Sequence, residues 1–315
     1  MPSEPRQDYV IIHLQPGSED WAGLIAQFML YLAAKEGHAY AAWSADRLLR
    51  ASGKNEGLVA LLDGKMLGIT LIEVVEPTAE ISLPWTLPGE TEVACDLAQA
   101  ALQVIREEHP YVRFIRSERA LLPGETDPRG LQAAGFLCHW RHRMQLELAG
   151  WWDEPVVPVG YRLVPWQIRY LDAAASVVFR ANQDTLDALL YAPFFGTSPK
   201  ECRQGLLTIL AGSYGALLPQ ATWCVLHGHQ LVGVNLVIRN DGDMASIIEI
   251  SVDPVYQGRG LGRALMVRSL RELKHEHYER VELAVTSENT GARHLYESLG
   301  FTTVNEFPVC IWPGD

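Results

Sequence analysis

Ile247-Ile248-Glu249-Ile250-Ser251-Val252-Asp253-Pro254-Val255-Tyr256-Gln257-Gly258-Arg259-Gly260-Leu261-Gly262-Arg263 is a β-branched apolar run that stops at Asp253-Pro254. It then passes through three alternating glycines into a helical pattern. A strand, a glycine turn and a helix start line up free backbone N–H groups on one point. The helix dipole adds partial positive charge there, so the turn suits a phosphate. Glycine lets the backbone curl around an anion without side-chain obstruction, and Arg259 and Arg263 add charge. The turn is not a dinucleotide fingerprint, because no ribose-binding carboxylate follows at the expected spacing. It is not a P-loop either, because no Gly-Lys-Ser/Thr follows.

A second stretch, Asn289-Thr290-Gly291-Ala292-Arg293-His294-Leu295-Tyr296-Glu297-Ser298-Leu299-Gly300-Phe301, puts Ala292, Leu295, Tyr296 and Leu299 on one helix face. Without a ligand, Asn289 reads as an N-cap, Tyr296 as a core aromatic and Gly300 as a C-cap. Combined with the glycine turn, a functional role for Asn289 and Tyr296 gains weight.

Working outward, the second half reads as a strand at 161–164, helices at 168–180 and 198–210, and a hairpin of 222–226 with 231–238. Strand 246–252, helix 260–274, strand 282–285, helix 290–299 and extended chain from 301 follow. The first half runs in the same order. Strand 10–14 is followed by helix 19–35, N-capped at Ser18, and a short helix at 44–50. A hairpin of 57–62 with 66–75 turns at Asp63-Gly64-Lys65; strand 79–83, helix 90–108, strand 111–115, helix 127–134 and strand 136–148 complete it. Glu80-Ile81-Ser82-Leu83 echoes Glu249-Ile250-Ser251-Val252, and two landmarks repeat at a spacing of 165 positions (Gly68 to Gly233, Gly135 to Gly300). Such an internal duplication, with mixed strands and helices, implies two α+β domains of one kind. The Pro- and Gly-bearing stretch 150–160, with Trp151 and Trp152, is the linker, packed on a surface. The expected domains are therefore 1–149 and 161–315.

The run Val252-Asp-Pro-Val-Tyr-Gln-Gly-Arg-Gly-Leu-Gly, followed by Asn-x-x-Ala-x-x-x-Tyr-x-x-x-Gly-Phe, resembles the GNAT acyltransferase superfamily over residues 160–312. The resemblance implies a mixed, mostly antiparallel central sheet flanked by helices, and acetyl-CoA or another acyl-CoA as cofactor. Gln257, Gly258, Arg259, Gly260, Leu261, Gly262 and Arg263 would hold its pyrophosphate. The strand residues Ile250, Ser251 and Val252 would lie along the pantetheine arm. Asn289 would touch the cofactor and Tyr296 would lie near its sulfur. The implied chemistry is direct transfer of the acetyl group to an amine, with Tyr296 protonating the departing thiolate. An alkylammonium has a pKa of about 10, so a proton must be removed first. Glu249 is the candidate base. It shares a strand face with Ser251, while Ile248, Ile250 and Val252 share the other, unless a bulge upsets the alternation.

The equivalent turn in the first half, Trp85-Thr86-Leu87-Pro88-Gly89-Glu90-Thr91-Glu92, keeps one glycine, has no arginine and carries acids where an anion would sit. Leu131 stands where Tyr296 does. The first half reads as a copy without a cofactor site, and such a tandem arrangement is similar to mycothiol synthase-like proteins.

Bulk properties set the limits. Two domains suit 315 residues, and 48% hydrophobic with 20% charged residues fits a globular protein. The net charge of −12 argues against nucleic acid or anionic membrane as partner and suits a cationic small molecule. Five scattered cysteines without CxxC spacing give neither a disulfide framework nor a metal site. Residues 1–8 have no signal pattern and no apolar run would span a membrane, so a cytoplasmic protein is expected. The pairs His227/His229, His275/His277 and His139/His142 lack a third ligand and read as surface or turn residues. No GxSxG elbow appears. In residues 182–200, Asp184, Asp187, Tyr191, Phe194 and Phe195 suit an acceptor pocket or a packed loop. The enzyme reading competes with a non-catalytic acyl-CoA-binding module, and the presence of both Asn289 and Tyr296 favours the enzyme.

Overall fold

The computed structural model describes residues 9–118, 120, 127–150, 152–240 and 242–314. Residues 1–8 and Trp151, which entered the leader and linker readings, lie outside them. The chain divides into two compact units, Met1–His139 with Phe307–Asp315, and Trp140–Glu306.

The first unit contains β1 (Val10–Leu14), α1 (Asp20–Glu36), α2 (His38–Ser52), β2 (Glu56–Leu62), β3 (Lys65–Val75), β4 (Thr78–Ile81), β5 (Trp85–Thr86), α3 (Thr91–Glu108), β6 (Phe114–Ser117) and α4 (Arg129–Ala133). Asp63 and Gly64 both take positive φ, which lets a two-residue turn join β2 to β3. The strands from β1 to β4 pair antiparallel in order, and β4 runs parallel to β6. Trp21, Leu24 and Phe28 of α1 pack with Val59 and Ile69 of the sheet, whereas Val93, Leu97 and Ile105 of α3 pack with Leu58 and Ile81. Period-3.6 stripes on helices and period-2 alternation on strands thus bury both sheet faces. The expected Ser18 cap is displaced by one residue: Glu19 is the cap position, and the Ser18 hydroxyl accepts from the Asp20 N–H.

The boundaries between units fall within β7 (Leu137–Glu147) and within β13 (Thr302–Ile311). The second unit contains β8 (Tyr161–Pro165), α5 (Leu171–Asn182), α6 (Leu186–Leu190), α7 (Ala192–Phe195), α8 (Pro199–Leu210), β9 (Trp223–His227), β10 (Gln230–Arg239), β11 (Met244–Val252), α9 (Leu261–His275), β12 (Arg280–Thr286) and α10 (Thr290–Ser298). The strands from β8 to β11 pair antiparallel in order, and β11 runs parallel to β12. The sheet closes with residues 141–147 antiparallel to β12. In the first unit, Cys310 and Ile311 lie antiparallel to Ser117 and Arg116 of β6. The cuts therefore differ from the expected 149 and 161, because each unit's closing strand comes from the far side of the sequence-based boundary. Periodicity identifies a strand but not its partner.

Residues 152–160 have no regular structure. Trp152 packs on the core under α9, and its carbonyl accepts from Arg271 Nη1 at 2.5 Å. Cys138 and Cys310 are disulfide-bonded in the first unit, contrary to the expectation from spacing; a sequence separation of 172 hides the pairing. Cys95, Cys202 and Cys224 are free thiols.

The segment expected as a pocket or packed loop is two short helices, α6 and α7, held against α8. At Gly205 of α8 an added Cβ would stand 2.2 Å from the Phe194 carbonyl oxygen of α7. Gly205→Ala is expected to cost about 1–3 kcal/mol, read from urea unfolding, because backbone and not a mobile side chain blocks the space.

Candidate functional site

The site begins with an irregularity in β11. Leu236 of β10 faces Glu249, but the next residue, Val237, faces Ile247, so Ile248 is an extra residue in a β-bulge. Ala245 and Ile247 pack with Met266 and Leu270 of α9. Ile248 packs instead with Val178 of α5 and Leu206 of α8, and Ile250 and Val252 return to the α9 side against Leu261 and Leu265. The expectation that Ile248 shares a face with Ile250 and Val252 fails because the bulge repeats one side before alternation resumes. Glu249 and Ser251 do share a side and are both buried.

Beyond the bulge the strands part. The β11–β12 pairing runs from Met244–Arg280 to Ser246–Glu282 and, among the described residues, goes no further. The Asp253 N–H donates to Val232 of β10 at 2.9 Å. By antiparallel alternation, the N–H groups of Ile250 and Val252 face the other, unpaired edge. In the first unit the equivalent strands stay together: pairing through Glu80–Arg116 is followed by a further parallel bridge, Leu83–Ala120.

Arg180 of α5 fixes the exit from β11. Its Nε and Nη2 donate to Asp253 Oδ2 at 2.9 and 2.6 Å, while Asp253 Oδ1 accepts from the Val255 N–H at 3.2 Å. Gly258 and Gly260 then take φ of +73° and +79°, and Gly260 is the N-cap position of α9. Nothing lies within 4 Å of the Cβ position at either glycine, so a side chain there would fill the open space in front of the helix. Gly262 is different: it lies in the first turn of α9, with Leu295 at 3.5 Å from its Cβ position.

The polar side chains of the turn are tied to protein. Gln257 Nε2 donates to the Val252 carbonyl at 2.9 Å. Arg259 donates to the Tyr161 hydroxyl at 2.7 Å and the Val255 carbonyl at 3.2 Å, and Arg263 donates to Ser298 Oγ at 2.7 Å. Leu261 is a core residue. What the turn offers to the open space is backbone.

Asn289 is the N-cap of α10, accepting from the Ala292 N–H at 3.2 Å. That helix carries Tyr296, which is buried against Phe301. Burial raises the Tyr296 phenol well above its ordinary range, and the carboxylates of Glu249 and Asp187 push the same way, opposed by Arg141. Burial likewise pushes the Glu249 carboxyl up to about 7; the Ser251 hydroxyl, donating to Glu249 Oε1 at 2.6 Å, opposes this, and Asp187 adds to it. Asn182 of α5 donates to Ser251 Oγ at 3.2 Å. Asp187 of α6 accepts from Thr286 Oγ1 at the end of β12 at 2.5 Å, and Arg141 lies over the Tyr191 ring at 4.7 Å. Two carboxylates and a phenol thus meet where β11 and β12 part. Sequence reasoning missed Arg180, Arg141, Asn182 and Thr286, which carry no motif. In the first unit the matching positions are closed: Glu80 is paired with Arg116 and Leu131 is fully buried.

The sequence profile of the Acetyltransferase (GNAT) family matches residues 191–301. Over these residues, about a third of the chain, the sequence is similar to that family. The mycothiol acetyltransferase of Beutenbergia cavernae is 52% identical over 64 residues, 20% of this chain and 22% of that protein. The [ribosomal protein bS18]-alanine N-acetyltransferase of Escherichia coli is 46% identical over 59 residues, 19% of this chain and 40% of that one. The chain therefore aligns with well under half the length of these relatives. A GCN5-related N-acetyltransferase from Sphaerobacter thermophilus has the same fold over 97% of both chains, with a TM-score of 0.63 at 16% identity. A tandem GNAT protein from the clavulanic acid biosynthesis pathway matches 98% of this chain and 100% of its own length, with a TM-score of 0.53 at 18% identity. The α+β GNAT fold thus extends along nearly the whole chain. No helix among the described residues is long and apolar enough to cross a membrane.

Arg180→Ala strands the Asp253 side chain, which is 6% exposed, at the head of the glycine turn. A loss of about 1.5–3 kcal/mol is expected by thermal unfolding, the range for a hydrogen bond to a charged group.

Proposed function

We propose that the second unit is an acyltransferase that binds acetyl-CoA or another acyl-CoA and moves the acyl group directly to the amine of a small molecule. The observation that carries this reading is the burial of Glu249 and Tyr296 together at the mouth of the β11–β12 split, within electrostatic reach of each other. The residues present fit the cofactor: two positive-φ glycines face open space before α9, and the β11 edge beyond the bulge has backbone donors to offer.

The N–H groups of Ile250 and Val252 would hold the pantetheine arm, with Ser251 bonded to Glu249 behind them. The backbone from Gln257 to Arg263, at the positive end of α9, would hold the pyrophosphate. Arg259 and Arg263 support the turn from its rim, and either can swing to the phosphates by leaving its present hydroxyl partner. Asn289 fixes α10 and so the position of Tyr296, beside the cofactor. The bound thioester supplies the acyl group. Glu249, with its carboxyl at about 7, removes the proton from the incoming ammonium more effectively than an ordinary carboxylate. Tyr296 keeps its proton until the thiolate leaves, as its raised titration favours. Asp187, beside this pair, favours a cationic acceptor. The net charge of −12 disfavours nucleic acid and anionic membrane as partners. The first unit, with Glu90 and Glu92 at its turn, supports the fold and leaves the cofactor to the second.

Calorimetry with CoA tests the cofactor: Gly260→Glu, which puts bulk and negative charge in the turn, is expected to abolish binding. Unchanged affinity would sink the assignment. For the chemistry, a panel of amines with acetyl-CoA is expected to give turnover whose kcat/KM rises through about pH 7 as Glu249 loses its proton. Glu249→Gln should remove that rise, and Tyr296→Phe should lower kcat by about 100-fold or more. Tight CoA binding without turnover of any amine would favour the binding-module reading.

A further inference from the structure

Outside this cluster, three residues distant in sequence meet in the second unit. Ser287, the residue after β12, has its Oγ 3.0 Å from His142 Nε2 of β7. On the other side of the ring, His142 Nδ1 lies 3.2 Å from Glu306 Oε1 of β13, at ion-pair distance. The His142 side chain is 10% exposed; Nδ1 is itself buried and not aligned for a hydrogen bond, so the Glu306 carboxylate bears on the ring through its charge at 3.2 Å. A proton on Nδ1 leaves Nε2 as the acceptor for the Ser287 hydroxyl. Nucleophile, base and orienting carboxylate are recognised by geometry and role, whatever their order in the chain.

The surroundings hold this arrangement in register. The Ser287 N–H donates to the Trp140 carbonyl at 2.9 Å, and β12 pairs Val285 with His142 and Thr286 with Arg141. Ser287 is half-buried. The neighbouring Thr286 bonds Asp187 on the wall of the Glu249–Tyr296 cluster. A hydrogen bond that only capped the end of β12 would need neither a buried histidine nor a carboxylate behind it.

We propose that Ser287, His142 and Glu306 form a second acyl-accepting site, with Ser287 as nucleophile, His142 as base and Glu306 as the residue that positions the ring. Its substrate class is activated esters and thioesters of small carboxylic acids. As the Ser287 Oγ–acyl carbon bond forms, the hydroxyl proton passes to His142 Nε2. The bond from acyl carbon to the leaving oxygen or sulfur then breaks, and that proton goes to the leaving group, giving an ester on Ser287. No oxidant or further reactant is needed.

The test uses the whole chain and p-nitrophenyl acetate, with no CoA present, so it stands apart from the cofactor assignment. A burst of p-nitrophenolate of one equivalent is expected, with the acetyl group on Ser287 by peptide mass mapping and none in Ser287→Ala. His142→Gln should slow the burst by about 100-fold or more. Glu306 lies 57% exposed on its side chain, so Glu306→Gln should keep the melting temperature while slowing the burst, and Glu306→Asp should restore part of it. A folded wild-type protein that acquires no acetyl group on Ser287, or His142→Gln reacting as fast as wild type, would overturn the proposal. An unaltered rate in Glu306→Gln would remove Glu306 from it.

Discussion

One misplaced residue governs the second unit. Without the bulge at Ile248, β11 would continue beside β12, the N–H groups of Ile250 and Val252 would be spent on a neighbouring strand, and alternation would carry Glu249 to the opposite face. Inserting the residue bends the strand, opens its edge and keeps Glu249 with Ser251 on the side facing α5. The first unit shows the opposite outcome in a related sequence: its strands stay bridged as far as Leu83–Ala120, Glu80 is ion-paired with Arg116, and an aliphatic residue occupies the place of the phenol.

The electrostatics follow from the same opening. A carboxyl held in a nearly dry pocket loses the solvation that stabilises its charge, so Glu249 titrates far above a surface glutamate, and Asp187 adds repulsion. Tyr296 answers to the same two negative charges and to its own burial. Each group thus keeps a proton longer than its type would in water: the carboxyl titrates near neutral pH, while the phenol stays protonated there. Arg180 contributes at a distance, holding Asp253 so that the chain leaves β11 toward the glycines at a fixed angle.

Much of this was legible in the sequence where the signal is local. The amphipathic stripes of α3, α9 and α10, the Asp63-Gly64 turn and the positive-φ glycines at 258 and 260 each follow from a few adjacent residues. The bulge was not, because no residue in 244–252 announces it; it arises from how β10 and β11 settle against two helical layers. Nor were the cuts between units, the Cys138–Cys310 bond or the Ser287–His142–Glu306 meeting, since all depend on which strands become neighbours. Arg259 and Arg263 mark the limit of motif reasoning: the spacing gives their position, but their hydrogen bonds go to Tyr161 and Ser298.

The division of the chain within β7 and β13 bears on how the molecule is made. Residues 310–311 are the antiparallel partners of β6, so the first unit cannot complete its sheet until they have been synthesised. Until residues 310–311 leave the ribosome, Arg116 and Ser117 present an unfinished edge, the kind of surface that invites wrong pairing. The second unit has the reverse schedule. Its closing strand, 141–147, emerges before β12 exists and must wait for it. A gene cut near residue 149 would deprive each fragment of a strand that the other carries.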